Sequence, residues 1–122
     1  MTPVFLHYDR CSTCQKAKKW LDDNGVAAAH RSITEQRPTV AELQAWVALS
    51  GLPAAKFFNT SGMLYREQGM SEKVKTLPEK ELLQILASNG MMVKRPLVVG
   101  KDFVLLGFKE EKWKEALLRD KE

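Results

Sequence analysis

The sequence contains no apolar run that approaches the roughly 20 residues of a membrane-spanning helix. Its N-terminus lacks the basic segment and the long apolar stretch of a secretory signal. Cysteine is scarce, with only 2 in 122 residues, and the two stand close together. Without a signal, such a pair favours reactive thiols in a reducing compartment over a structural disulfide. These absences predict a cytoplasmic protein that has no membrane partner.

Charge of one sign is in only mild excess, with a formal net charge of +4 and a pI of about 9.1. The basic residues are spread along the chain, apart from Lys16, Lys18 and Lys19, which fall on one predicted helix. That cluster is either a solvated helix face or a surface that attracts an anionic substrate or an acidic protein. Because no basic stripe carries interleaved aromatic residues, we expect no direct contact with nucleic acid.

A buried strand followed by an amphipathic helix is predicted at the start of the chain. The strand covers Pro3 to Tyr8, and Asn24-Gly25 ends the helix. The residues that share the apolar face of this helix are Cys14, Ala17, Trp20 and Leu21. A weak second strand is predicted from Val26 to Ile33, which completes a right-handed βαβ unit.

The middle of the chain is predicted to be a helical insertion at approximately residues 38–90. Two helix starts in it match the capping box, in which a threonine is followed three positions later by a glutamate. The two boxes pair Thr39 with Glu42 and Thr76 with Glu79. Residues 52–69, which include Pro53 and Gly62, are predicted to be irregular.

The last third of the chain returns to a strand pattern. A strand is predicted at Phe103 to Phe108 and a closing helix at Glu110 to Arg119. A chain of this length builds one core, so we expect a single domain across residues 1–122. The order of elements predicts an α/β fold of the thioredoxin-like (glutaredoxin-like) type, a mixed four-stranded sheet flanked by helices with a helical insertion.

The segment Cys11-Ser12-Thr13-Cys14 lies between the first strand and the first helix and is predicted to carry the chemistry. Cys11 falls at the N-terminal end of the helix, where unpaired N–H groups and the helix dipole stabilise a thiolate. Arg10 and Lys16 add positive charge nearby. Cys14 lies one turn further on the same side, so Cys11 is the expected nucleophile and Cys14 the resolving thiol.

Other interpretations of the cysteine pair stay open at this point. The pair is half of a zinc site only if His7 and His30 complete it, and those histidines have no recognisable spacing. Cys14 alone fits a buried core position. A third interpretation is that the pair is a chance arrangement without function. His7, close before the pair, is either a general base or an ordinary strand residue.

Arg95-Pro96 interrupts an apolar stretch, and a proline within a strand requires a reason. One reason is a cis peptide bond that turns the backbone toward a site, and in a thioredoxin-like fold this proline faces the cysteine turn. Arg95 then binds an oxyanion or stabilises the thiolate of Cys11. The alternative is an edge-strand proline beside a solvated arginine.

Three separated motifs together resemble the ArsC/Spx family over nearly the whole chain. They are Cys11 to Ala17, Phe57 to Gly62 with Tyr65-Arg66, and Lys94 to Val99. That family comprises glutaredoxin-linked arsenate reductases and Spx-type regulators that bind RNA polymerase. The resemblance implies a thioredoxin-like fold with a helical insertion.

The resemblance also implies roles for individual residues. Cys11 matches the family's nucleophile, Arg95 an arginine that binds the oxyanion, and Pro96 the adjoining proline, which is usually cis. Cys14 matches the second cysteine of Spx-type proteins, where the pair acts as a redox switch. The further arginines of the arsenate reductases fall near Asn59 and Gly107, and neither position holds an arginine here.

We therefore expect an arsenate reductase-like thiol–disulfide oxidoreductase, with no bound cofactor or metal. Glutathione, glutaredoxin or thioredoxin is the expected electron donor. The alternative function is an Spx-type redox-sensing transcriptional regulator that binds the α subunit of RNA polymerase.

Overall fold

The computed structural model describes residues 2–118, and within them the chain forms four strands and six α-helices. The predicted end of the closing helix at Arg119 lies outside the described residues. The elements are, in chain order, β1 (Val4–His7), α1 (Ser12–Asp23), β2 (Ala29–Ser32), α2 (Val40–Ser50), α3 (Met63–Glu67), α4 (Met70–Thr76), α5 (Glu79–Ser88), β3 (Leu97–Val99), β4 (Val104–Leu106) and α6 (Glu110–Leu117). No helix within the described residues is long and apolar enough to span a membrane.

The chain divides into two compact units, one formed by residues up to Ser32 together with those from Arg95 onward, the other by Ile33–Lys94. The second unit extends somewhat beyond both ends of the predicted insertion at 38–90. The single-domain assignment for residues 1–122 stays a prediction.

The first unit contains a mixed four-stranded sheet in the order β2-β1-β3-β4. β1 pairs parallel with β2, as a βαβ unit requires, and both pairs that involve β3 are antiparallel. The predicted sheet is confirmed. β1 and β3 are the central strands and run antiparallel. The segment that follows β1 and the segment that precedes β3 therefore lie at the same end of the sheet, at its middle.

The core of this unit forms because α1 and α6 bury their apolar residues with those of the sheet. The predicted apolar face of α1 is confirmed, since Cys14, Ala17, Trp20 and Leu21 are all buried. The other buried members of this core are Phe5, Val98, Leu105 and Trp113. Helix α1 ends at Asn24, and Gly25 follows with a φ of 64° that glycine adopts without strain.

The second unit carries four of the helices, and two short ones were not predicted. α3 has 5 residues and lies within residues 52–69, so the prediction of an irregular stretch is wrong there, and α4, with 7 residues, begins directly after that stretch. Gly62 and Gly69 directly precede them, and neither helix has a side-chain N-cap. Helices this short have no apolar periodicity to detect, and a glycine directly before each of them is typical of a loop.

One of the two predicted capping boxes is confirmed and the other is wrong. Thr39 caps α2, because its Oγ1 accepts the N–H of Glu42 at 3.1 Å and the Glu42 carboxylate accepts the N–H of Thr39 at 3.1 Å. Thr76 instead ends α4, with its hydroxyl donating to the carbonyl of Glu72 at 3.2 Å. Pro78 takes the cap position of α5 without a side-chain hydrogen bond.

The two threonines make a matched test of this difference. Replacing Thr39 by alanine is expected to lower the free energy of unfolding by about 1 kcal/mol, the usual cost of losing an N-cap. Thr76→Ala is expected to change it by less than about 0.5 kcal/mol, because Thr76 caps no helix. Equilibrium urea unfolding measures both, and equal losses for the two variants would contradict the assignment.

Candidate active site

Cys11 is the N-cap residue of α1. Its backbone is extended, with φ −91° and ψ 116°, and its Sγ accepts the N–H of Cys14 at 3.3 Å. Its own N–H donates to the carbonyl of Tyr8 at 3.0 Å, which closes the turn from β1. The sulfur thus occupies the position where unpaired N–H groups of the first turn favour a negative charge. Ser12 and Thr13 are exposed in that first turn.

The pKa of the Cys11 thiol is lowered in this position. Partial burial acts to raise it, but hydrogen bonds from the thiol and the N–H of Cys14, the charge of Arg95 and the N–H of Thr13 together outweigh burial. These groups all stabilise the thiolate more than the neutral thiol. The geometry therefore favours a thiolate on the partly exposed cysteine of the pair.

Cys14 has the opposite character. Its side chain is only 3% exposed and lies on the buried face of α1. Burial, followed by the hydrogen bond to Cys11 and the negative charge of that residue, raises the pKa of Cys14 to about 12. Cys14 is consequently a protonated thiol that donates to the sulfur of Cys11. Both predicted interpretations of Cys14, a core residue and a partner of Cys11, describe its position.

Arg95 and Pro96 belong to the same unit as the cysteines, and the peptide bond between them is cis. The guanidinium carbon of Arg95 lies 5.1 Å from the centroid of the Tyr8 ring, over its face. The charge of Arg95 lowers the pKa of both cysteines, so the arginine is close enough for its charge to act on both thiols. The edge-strand interpretation of Pro96 is wrong, because β3, which begins directly after it, lies between β1 and β4.

The two other basic residues predicted near the site, Arg10 and Lys16, are exposed to solvent. The positive charge that acts on Cys11 is that of Arg95. A contribution of Arg10 and Lys16 to the positive charge near Cys11 stays a prediction.

His7 lies at the end of β1 and has partners that the sequence did not reveal. Its Nδ1 is 3.7 Å from a carboxylate oxygen of Asp9, and its ring contacts those of Phe5 and His30 at centroid distances of 5.1 and 5.6 Å. Burial and the neighbouring His30 lower the pKa of His7, with Asp9 opposing them. Within residues 2–118, no three His, Cys, Asp or Glu residues are grouped so as to hold a metal ion.

The family model of the ArsC family matches residues 6–116. The chain belongs to the ArsC family. A solved structure of an ArsC-family-related protein from Bacteroides fragilis is 55% identical and covers 94% of this chain and 98% of its own, with a TM-score of 0.91. Another, described as a possible arsenate reductase from Streptococcus mutans, is 36% identical and covers 93% and 98%, with a TM-score of 0.84. The predicted family and thioredoxin-like fold are confirmed.

Similarity within the ArsC family extends to a transcriptional regulator. The global transcriptional regulator Spx 2 of Bacillus anthracis is 25% identical over 89% of this chain and 82% of its own length. The chain is thus an ArsC-family protein similar both to a protein described as a reductase and to one described as a regulator.

Gly107 stands near the position at which the resemblance to the arsenate reductases implies an arginine, and its role here is a backbone one. Gly107 has a φ of 73°, a conformation that disfavours any other side chain. Its N–H donates to the carbonyl of Pro96 at 2.9 Å, and its carbonyl accepts the indole N–H of Trp113 at 3.1 Å. Gly107 thereby ties the residues beside the site to α6.

Proposed function

We propose that the protein is a thiol–disulfide oxidoreductase of the arsenate reductase-like type, with Cys11 as the attacking thiolate. The observation that carries this proposal is the contrast between the two thiols, one partly exposed and favouring its anion, the other buried and protonated. The thiolate is the nucleophilic form of cysteine, so only Cys11 is prepared to attack.

The proposed reaction transfers two electrons from the dithiol to a disulfide substrate. The Cys11 thiolate attacks one sulfur of the substrate, forming a mixed disulfide and releasing the other sulfur as a thiolate. Cys14 then loses its proton and attacks the sulfur of Cys11, which forms the Cys11–Cys14 disulfide. The second substrate thiolate leaves, and protons from solvent and Cys14 neutralise the products. Glutathione, glutaredoxin or thioredoxin returns the two electrons.

The first step prepares the second. In the mixed disulfide Cys11 carries no negative charge and no longer accepts the hydrogen bond from the Cys14 thiol. Both contacts raise the pKa of Cys14 in the dithiol form. Their loss makes Cys14 easier to deprotonate at the moment when it must attack.

The basic groups favour a disulfide over arsenate as the substrate. The charge of Arg95 acts on the thiols. The further arginines of the arsenate reductases fall near Asn59 and Gly107, and neither position holds an arginine here. Each missing charge-assisted hydrogen bond costs about 1.5–3 kcal/mol of binding free energy, which lowers arsenate affinity by powers of ten.

We propose that the protein acts in the cytoplasm, where such thiols are kept reduced.

The pH dependence of thiol reactivity tests the proposed roles. Cys11 is expected to react with iodoacetamide with a pH midpoint below the free-cysteine value of about 8.5, because its thiolate is stabilised. Its rate falls as the pH drops through that midpoint, since protonation removes the nucleophile. Cys14 is expected to stay slow until strongly alkaline pH. Mass spectrometry assigns each label, and two thiols that titrate alike would contradict the proposal.

A turnover assay then identifies the substrate class. The reduced protein is mixed with glutathione disulfide or with arsenate, in the presence of either glutaredoxin or thioredoxin. Oxidation of the dithiol by the disulfide and slow or undetectable arsenate reduction are expected. Efficient arsenate turnover would overturn the preference argued from the missing arginines.

The second candidate function is an Spx-type redox-sensing regulator that binds the RNA polymerase α subunit. It is favoured by the similarity to Spx 2 together with the cysteine pair. A pulldown with the C-terminal domain of the α subunit, using oxidised and reduced protein, tests it. Binding that changes with redox state supports the regulator, while no binding in either state removes it.

A further inference from the structure

Tyr8 interacts with both cysteines of the candidate site and with Arg95. Its carbonyl accepts the N–H of Cys11 at 3.0 Å, and a backbone hydrogen bond from Tyr8 lowers the pKa of Cys14. Its ring lies under the guanidinium of Arg95, at 5.1 Å from centroid to Cζ. The backbone contacts do not depend on the side chain, but the contact with Arg95 does. The Tyr8 side chain is neither a nucleophile nor a positive charge, so its contact with Arg95 needs a role other than those proposed for the cysteines and the arginine.

A guanidinium that acts on a thiolate must be held in place. An arginine side chain has many rotamers, and its field at a sulfur falls when the charge moves away or becomes more solvated. An aromatic face attracts the guanidinium and restricts where it lies, without competing for the N–H groups along its edge. In general, a guanidinium stacked on a ring keeps its N–H groups in its own plane, which is the geometry that binds an oxyanion or a carboxylate.

We propose that Tyr8 is a positioning residue whose ring holds the Arg95 guanidinium beside Cys11. This inference rests on the proposed function, because it assigns the group that keeps the thiolate-stabilising charge in place. The aromatic face is the required feature, and the hydroxyl is not. Phenylalanine is therefore the conservative replacement and leucine the disruptive one.

The experiment compares Tyr8→Leu and Tyr8→Phe with the wild-type protein. The midpoint of Cys11 ionisation is followed by the ultraviolet absorbance of the thiolate, and alkylation is measured at acidic pH. Tyr8→Leu is expected to move the midpoint upward and to slow alkylation about two- to fourfold, because higher intrinsic nucleophilicity offsets part of the lost thiolate. Tyr8→Phe is expected to behave like the wild type.

Two controls separate positioning from general damage. Tyr8→Leu in an Arg95→Gln background is expected to cause no further shift, because the charge that Tyr8 positions is already gone. Tyr65→Leu removes the chain's other tyrosine ring, which packs on Phe58 in the second unit, and is expected to leave the midpoint unchanged. Circular dichroism of each variant verifies folding.

The outcomes distinguish this inference from the proposed function. If wild-type Cys11 titrates as an ordinary cysteine, the proposed function fails. If the wild type shows a low midpoint and Tyr8→Leu does not change it, only the role of Tyr8 is overturned. The same shift in the presence and absence of Arg95 would also overturn it, because Tyr8 would then act through something other than the guanidinium.

Discussion

Replacing Cys11 by serine is expected to reduce thiol–disulfide exchange to the uncatalysed background. The first step requires a thiolate at the N-terminus of α1, and a serine hydroxyl does not ionise at neutral pH or exchange with a disulfide. Cys14 does not substitute for it, because that residue is buried, with 3% of its surface exposed. Oxidation of the purified protein by glutathione disulfide, followed by mass spectrometry, measures the loss.

This substitution is unusually clean because serine is itself a preferred N-cap. The hydroxyl can accept the N–H of Cys14 that Sγ accepts at 3.3 Å, so the stability of α1 is retained. Unchanged urea unfolding beside lost exchange therefore assigns the defect to chemistry. Cys14→Ser is the matched variant, and it is expected to complete the first step and accumulate a mixed disulfide on Cys11. Continued exchange in Cys11→Ser would overturn the mechanism.

Much of the site could be predicted because its signals are local in the sequence. An apolar strand, a cysteine at the helix start and a second cysteine on the apolar helix face place the two thiols without knowledge of the fold. Arg95 was found because a proline in an apolar stretch needs a structural reason. The cis peptide bond that the family resemblance implied is present.

The contacts that sequence reasoning missed depend on tertiary packing. Tyr8 lies far along the chain from Arg95, and no periodicity joins an aromatic residue to a guanidinium across the sheet. The only available signal was an aromatic residue at the end of the strand that leads into the cysteine turn. The capping box predicted at Thr76 is wrong for a related reason. The same four-residue pattern starts a helix at Thr39, whereas at Thr76 its threonine ends the preceding helix.

Replacing Trp113 by alanine is expected to cause the largest loss of stability, about 3–5 kcal/mol of unfolding free energy. Its side chain is 1% exposed and its ring meets those of Phe108, Trp20 and Phe5 edge to face, at centroid distances of 4.8, 5.7 and 6.2 Å. Alanine leaves a cavity among these rings that they cannot fill without leaving their own contacts. Equilibrium urea unfolding, with tryptophan fluorescence and circular dichroism, measures the change.

Trp113→Phe separates this packing from the hydrogen bond that connects the core to the site. Phenylalanine keeps an aromatic ring but leaves the carbonyl of Gly107 without the indole N–H, a loss of about 1–3 kcal/mol. Because the N–H of Gly107 binds the carbonyl of Pro96, this variant is also expected to raise the midpoint of Cys11 alkylation slightly, through a less firmly held Arg95. A Trp113→Ala variant as stable as the wild type would contradict the core assignment. A normal midpoint in a destabilised Trp113→Phe variant would limit Trp113 to packing, and would place the control of the thiolate entirely on the residues next to Cys11.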